Sequence, residues 1–400
     1  MPFKESNRVE ERITLMNEYD SGAFSVTELC ARRGISRETF YQLQRRRDAG
    51  EERWYEERSR APQSRPHAVA PNVVDRIVAL RQKFVHFGPK KIRARLLQDA
   101  PGLVVPAAST IGDILKREGL VAPHKRRRRA LDQPEIIAGA SAPNGEWSID
   151  FKGWFRVLDG TRCDPLTIAD TASRYLIETR ITAATHDGVR AVMERVFNDN
   201  GLPDTIRSDN GAPFGSVGAG GLSRLSVWLL KLGIEPHYIP PGSPQDNGRH
   251  ERMHRTLKAQ TSQPPAVTWQ QQQVRFNQFR THYNEERPHE ALGQTPPATH
   301  WCQSERRMPS RIEAPWYNAD HEVRQVRPTG EIQWRGKRIY IGEALAREPV
   351  GIAEVDNDIH VVRFCGRDLG TIDRNVRFHR FAPPRARLRK AVKPNGTQEE

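Results

Sequence analysis

The sequence predicts a multidomain chain: all-α units at the N-terminus, a central α/β domain on a mixed sheet, and a small C-terminal β-barrel. Three observations carry that reading. The 400 residues exceed what one domain of about 150 holds. Hydrophobic spacing is helical over residues 9–118, mixes strand alternation with helical stripes from 140, and alternates again over 321–374. Charge is uneven as well. Residues 1–130 hold 27 basic and 16 acidic side chains, residues 131–310 hold 19 and 20, and residues 311–400 hold 17 and 13. The net charge of +14 therefore sits mainly in the helical third, which points to a polyanionic partner, nucleic acid ahead of an anionic membrane surface.

Several classes are excluded. Cys30, Cys163, Cys302 and Cys365 lie far apart with no CxxC, which removes a disulfide scaffold and argues against a thiolate zinc site. The start MPFKESNRVEER has no apolar signal core, and no stretch approaches a membrane span, so neither secretion nor a membrane is expected. No GxxxxGK[ST] segment occurs, so no nucleotide cofactor is expected. His360-Val361-Val362-Arg363 mimics part of a tyrosine-recombinase HxxR, but the last tyrosine is Tyr340 and no nucleophile follows.

Residues 9–48 read as three short helices. Val9, Ile13, Leu15 and Met16 mark the first, Ser25 and Glu28 form a capping box for the second, and Gly34 ends it. Ser36 caps the third, from Arg37 to about Arg47. Ala31, Gly34 and Ile35 resemble a helix-turn-helix, with small Ala31 expected at the helix contact. Arg37, Gln42, Gln44, Arg45, Arg46 and Arg47 are then available to a DNA groove. A plain helical hairpin is the alternative. These residues define a DNA-binding domain over 1–55. A second helical unit spans 68–122, helix-turn-helix or winged-helix-like, with Phe87-Gly88-Pro89 as a turn and Lys90, Lys91, Arg93 and Arg95 on the helix that Pro89 opens. A helical spacer is the alternative there. Residues 123–139 read as a basic linker carrying Arg126, Arg127, Arg128 and Arg129 for phosphate contact.

From 140 to 305 the order reads βββαβαβα. In Glu146–Phe155, residues 147, 149 and 151 share one strand face and Asp150 lies on the other. Asp159-Gly160 suits a hairpin turn. Asp209 ends a strand before an Asn-Gly turn. Glu251 lies on a helix for which Ser243 as cap and Pro244 make a start signal. Three converging acids repel unless a divalent cation is present, and oxygen ligands select Mg²⁺ or Mn²⁺. Asp246 is a rival third acid, but a carboxylate at a helix start commonly serves the dipole.

WSIDFKGWF, IRSDNGAPF and PGSPQDNGRHERMHRTLK resemble the three segments of the retroviral-integrase-type catalytic core, and more closely those of DDE transposases from bacterial insertion sequences. Tyr283–Leu292 followed by Thr295-Pro296 is similar to the same group. The resemblance implies an RNase H-like core with Asp150, Asp209 and Glu251 as catalytic and metal ligands, Asp150 bridging two Mg²⁺ (or Mn²⁺) ions per active site. It implies a transposase that binds its element's ends, cleaves 3′ ends and transfers them to target DNA, as a homo-oligomer in a synaptic complex on the bacterial nucleoid in the cytoplasm. Lys258, with Arg255 on the same stripe, is expected to contact terminal DNA. Two departures stand out. The 42 positions from Asp209 to Glu251 exceed the retroviral spacing, and Gly215–Gly221 can absorb the excess as a loop. The N-terminal zinc module is replaced by helical units. A catalytically inactive DNA-binding regulator and an RNase H-like nuclease are the rival readings. Residues 320–376 alternate like strands and, by the resemblance, form an SH3-like barrel. Residues 380–400 read as a disordered basic tail.

Overall fold

Asn7 opens the first helix by accepting the Val9 N–H, and local capping of this kind sets the bounds of the N-terminal helices. The structure is a computed structural model that describes residues 7–58, 68–121, 141–216, 218–239 and 248–381. The chain divides into two compact units, Met1–Ala70 and Pro71–Glu400.

The first unit holds α1 (Arg8–Asp20), α2 (Val26–Arg33) and α3 (Arg37–Asp48). The Ser25–Glu28 capping box is present, Gly34 closes α2 with φ +64°, and Ser36 caps α3 by accepting the Thr39 N–H. Leu15, Met16, Leu29, Cys30, Phe40 and Leu43 form its core. Ala31 is exposed, so the helix contact runs through Leu29 and Cys30 rather than Ala31.

The second unit begins with α4 (Pro71–Lys83), α5 (Pro89–Asp99) and α6 (Ala108–Arg117), which bury Val73, Ile77, Ile92, Leu96, Ile111, Ile114 and Leu115. Pro89 is the first residue of α5, where its missing N–H costs nothing. The linker read at 123–139 lies outside the described residues, as does the tail beyond 381.

The central domain contains β1 (Glu146–Phe151), a short hairpin of β2 (Phe155–Arg156) and β3 (Arg162–Cys163), β4 (Pro165–Asp170), β5 (Leu176–Ile181), α7 (His186–Asn200), β6 (Thr205–Ser208), α8 (Arg224–Lys231), β7 (Glu235–Tyr238), α9 (Gly248–Thr261) and α10 (Trp269–Glu285). Its sheet runs β5-β4-β1-β6-β7, antiparallel between β5, β4 and β1 and parallel between β1, β6 and β7. Alternation sends Trp147, Ile149, Leu166 and Ile168 to one face, where α7 and α8 cover them with Val189, Met193, Phe197, Leu225 and Trp228. On the other face α9 and α10 bring Met253, Leu257, Phe276 and Phe279 against Leu176 and Ala169.

α10 was not foreseen. It lies along the edge strand β5, and its polar side chains take the place of a further strand. Gln273 accepts from Ile181 N and donates to Thr179 O, Arg280 donates to Ile177 O, and Asn284 both accepts from Leu176 N and donates to Leu176 O.

The C-terminal region comprises β8 (Glu322–Gln325), β9 (Glu331–Trp334), β10 (Lys337–Tyr340), β11 (Pro349–Asp356), β12 (Ile359–Phe364), β13 (Arg367–Ile372) and β14 (Phe378–Arg380). The expected barrel is not closed. Strands β14-β13-β12-β11-β8 form one antiparallel sheet, and β10-β9 pair only with each other. Arg335 and Gly336 both have positive φ, as the tight hairpin joining β9 and β10 requires. Both sheets enclose one core with Val326, Ile332, Trp334, Val350, Val362 and Phe364, and that core extends to Leu222, Val227 and Leu230 of the central domain.

Candidate functional site

Ser148 and Asp150 leave β1 on the face that α9 covers, opposite Trp147 and Ile149. β1 and β6 are parallel, with Ser148 beside Arg207. Asp150 lies two residues beyond Ser148 on β1, and Asp209 lies one residue past the end of β6. Asp209 is exposed, and its Oδ1 accepts the Gly211 N–H at 3.2 Å. Asn210 Nδ2 ties the same turn to Ile239 O at 2.7 Å.

Glu251 occupies the first turn of α9 and is exposed, as are Arg255 and Lys258 on the same stripe. The start expected at Ser243-Pro244 and the rival acid Asp246 lie outside the described residues. The inner stripe of α9 is His250, Met253, Leu257 and Thr261. Among the described residues, the acid and imidazole ligand atoms close enough to share an ion, within 4.8 Å, are those of Asp150, His250 and His254, and this group includes neither Asp209 nor Glu251.

The two histidines are the part of the site that sequence reading missed. His250-Glu251-Arg252-Met253-His254 spells His-Glu-x-x-His, a spacing that puts two imidazoles on one helix face and is known in zinc sites. Here both imidazoles are taken. Thr167 Oγ1 lies 2.6 Å from His250 Nε2 and 2.7 Å from His254 Nε2, and it donates to Asp150 O at 3.0 Å. Burial, then Arg207, pushes His250 down to about 3; burial, then His250 and Lys152, pushes His254 down to about 2. Both rings are therefore neutral. Thr167 donates its one hydroxyl proton to Asp150 O, its oxygen is shared by the two Nε2 atoms, and Ser148 Oγ, which donates to Ala169 O at 3.2 Å, lies 2.8 Å from His250 Nδ1. The pair locks α9 onto β1 and β4.

On the outer side the site is basic. Lys152 follows Asp150 by two residues; burial, then the nearby Lys258 ammonium, lowers its pKa. The donor set suits a hard divalent ion. Asp150 lies on β1, Asp209 one residue past β6 and Glu251 in the first turn of α9, and all three offer oxygen.

The other expected DNA contacts differ in availability. Arg37 is exposed, and Arg45 pairs with Glu38 at 3.2 Å. Arg46 is engaged by Glu51 and by the carbonyls of Glu56 and Arg53, and Arg47 by Asp20, so both hold the first unit together. Lys90 pairs with Glu290 at 2.6 Å, whereas Lys91 is half-buried. Arg126, Arg127, Arg128 and Arg129 lie outside the described residues.

The mixed sheet, with Asp150 on β1 and Asp209 just past the parallel strand β6, agrees with the family comparisons. Residues 140–244 match an integrase core domain, and residues 232–297 match a second model of that description. The chain is similar to the uncharacterized 39.2 kDa protein of insertion element IS476 from Xanthomonas euvesicatoria, at 25% identity over 56% of this chain and 62% of that protein. It is similar also to the uncharacterized 31.7 kDa protein of insertion element IS407 from Burkholderia multivorans, at 27% identity over 46% of this chain and 65% of that one. The match thus spans under two thirds of either relative's own length. Among solved structures, the HTLV-2 integrase catalytic core domain in complex with magnesium matches at 16% identity and a TM-score of 0.32, over 40% of this chain and 98% of that one. By its core domain and these relatives, the chain resembles bacterial insertion-sequence transposases with a retroviral-integrase-type core.

Proposed function

We propose that the chain is a DDE-type transposase that binds the ends of its mobile element, cleaves their 3′ ends and joins them to target DNA. The observation that supports this reading is the parallel pairing of β1, which carries Asp150, with β6, which Asp209 follows, under the helix that carries Glu251. Asp150, Asp209 and Glu251 would hold two Mg²⁺ or Mn²⁺ ions, which when bound supply activation of the attacking oxygen and stabilisation of the leaving one.

The chain's own residues do the rest. The Thr167–His250–His254 cluster fixes α9 on the sheet and so fixes where Glu251 stands relative to Asp150. Lys152, Arg255 and Lys258 give that end of the sheet the positive potential that a scissile phosphate needs. Exposed Arg37 and Gln42 on α3, together with Arg45, present groove-reading groups in the first unit. Synapsis of two element ends calls for a homo-oligomer, and the bacterial nucleoid in the cytoplasm is the corresponding location. Among the described residues, no helix is long and apolar enough to cross a membrane.

The test mixes purified protein with Mg²⁺ and the DNA flanking its own gene, and follows cleavage, joining and binding. Asp150→Ala, Asp209→Ala and Glu251→Ala should each abolish cleavage and joining while end binding persists, because a lost ligand's charge stabilisation has no substitute. A variant that joins ends at near wild-type rate refutes the assignment of that residue. Wild-type protein that binds ends without cutting them is instead a regulator, and one that cuts RNA–DNA hybrids is a nuclease.

A further inference from the structure

A cavity of about 470 Å³ opens beside the site, with Ser148 and His250 on its wall. Ser148 is two residues from Asp150 on the same strand face, about 6.6 Å along β1. Lys91 of α5, Arg174 of the β4–β5 turn, Arg255 of α9 and Arg287 beyond α10 line its other sides.

The cavity gathers cations. Lys91 and Arg287 both lie over the Phe87 ring, each 5.9 Å from its centre. Burial, then Arg287, pushes Lys91 down to about 7. Arg287 Nη1 and His289 Nε2 are buried with no hydrogen-bond partner among the described residues. Of the carboxylates on the wall, Glu290 acts on Lys91 through its charge but makes its ion pair with another cation. Glu290 is exposed and pairs with Lys90, and Asp170 accepts from Asn144 N, Ser173 N and Ser173 Oγ. Two half-buried cations side by side cost stability and persist only where an anion offsets them. Orphaned N–H groups from a guanidinium beside an ammonium match the several oxygens of a phosphate. Phe84 and Phe87 stack on His282, at 5.3 Å and 5.7 Å, which brings Lys91 of the helical unit to this wall of the central domain.

We propose that this cavity binds a backbone phosphate, with its nucleotide, of the DNA strand that runs past Asp150, clamped between Lys91 and Arg287. The proposal rests on the transposase reading and adds to it a contact away from the three acids. It is tested with the full chain by fluorescence anisotropy, using a fluorescent 30-base-pair duplex from the DNA next to its gene across a salt series. Lys91→Met and Arg287→Gln should each weaken binding about five- to tenfold and flatten the log–log salt slope by about 0.9, whereas Lys91→Arg should keep both. Lys91→Met should also raise the melting temperature of the free protein, because it removes a desolvated cation from beside Arg287. Unchanged affinity and slope in both charge-removing variants overturns the proposal while leaving the transposase reading intact. Equal losses in Lys91→Met and Lys91→Arg, with lowered melting temperatures, mark a packing role and overturn it too. A fluorescent poly-glutamate peptide that binds more tightly than the duplex, and loses that binding in the same variants, assigns the cavity to an acidic protein and overturns it. A wild-type chain that binds no duplex overturns both readings.

Discussion

Thr167 has one hydroxyl and three partners, and the geometry of the site depends on it. It donates to Asp150 O and lies within hydrogen-bond distance of two buried imidazoles, so replacing it by its isostere valine strands two ring nitrogens without opening a cavity. Thr167→Val should therefore lower stability by about 2–4 kcal/mol in chemical denaturation, at one to two unsatisfied polar groups' worth. Thr167→Ser should recover most of the loss. A neutral valine variant would mean that α9 is held by its apolar stripe alone. The residue scale also marks where sequence reading stops. Asp150 was legible because alternation around Trp147 and Ile149 leaves it on the opposite face. The His250–His254 pair was not, since a spacing of four suits a metal site and a hydrogen-bonded lock equally. What decides is a threonine 83 positions from His250 in sequence. The same holds for Arg46: its charge counted towards DNA until the Glu51–Glu56 segment folded back to claim it.

At the scale of elements, α10 shows why a long helix can escape notice. Helices are found by apolar periodicity, and the face this one turns to the sheet carries Gln273, Arg280 and Asn284, which bond the edge of β5 instead of filling a core. Of its remaining inner residues, Phe276, Phe279 and Tyr283 are aromatic and Gln272 is a buried amide, and Trp269 and Val274 are exposed, which blurs the stripe further. By contrast α2 and α3 were legible to within a residue or so because their signals, Ser25 with Glu28, Gly34 and Ser36, are local caps that need no tertiary partner. The amide bonds make a prediction. Asn284 is buried and satisfies both backbone groups of Leu176, so Asn284→Ala removes the partners of one N–H and one C=O at once. Stability should fall by about 2–4 kcal/mol, and hydrogen exchange at Leu176 should accelerate while that of central β1 changes only through the global loss. Uniform acceleration across the sheet, with no excess at Leu176, would show that the edge is not held by this side chain.

The whole molecule is organised by how its modules share cores, and that sharing follows from the segment that looked least structured. The glycine-rich stretch after Asp209 was expected to absorb extra length as a loop. Ala219–Gly221 are instead buried in a short turn whose Gly220, at φ +63°, meets Leu369 of β13, and Gly220 N donates to Phe381 O. The insertion is a dock for the C-terminal sheets. α8 completes it: Trp228 and Leu229 face the central core, while Val227 and Leu230 join the C-terminal one, and Lys231 pairs with Glu348 at 2.8 Å. Sequence periodicity could assign α8 one apolar face but not two different owners for its two sides. The first unit has no such debt, since Leu15, Met16, Leu29, Phe40 and Leu43 close a core within it. Removing either end of the chain should therefore have opposite consequences. A chain of residues 71–400 should melt at the temperature of the same transition in the full chain. A chain ending at residue 315 exposes Leu222, Val227 and Leu230, each worth about 1.5–3 kcal/mol of burial. It should lose at least about 10 °C in melting temperature, bind a hydrophobic dye, and self-associate as concentration rises. Adding Val227→Ser and Leu230→Gln to the shortened chain should reduce the dye binding and self-association, and the same pair should destabilise the full chain. A shortened chain that melts with the full one and stays dye-free would show that the C-terminal sheets ride on the central domain without sharing its core.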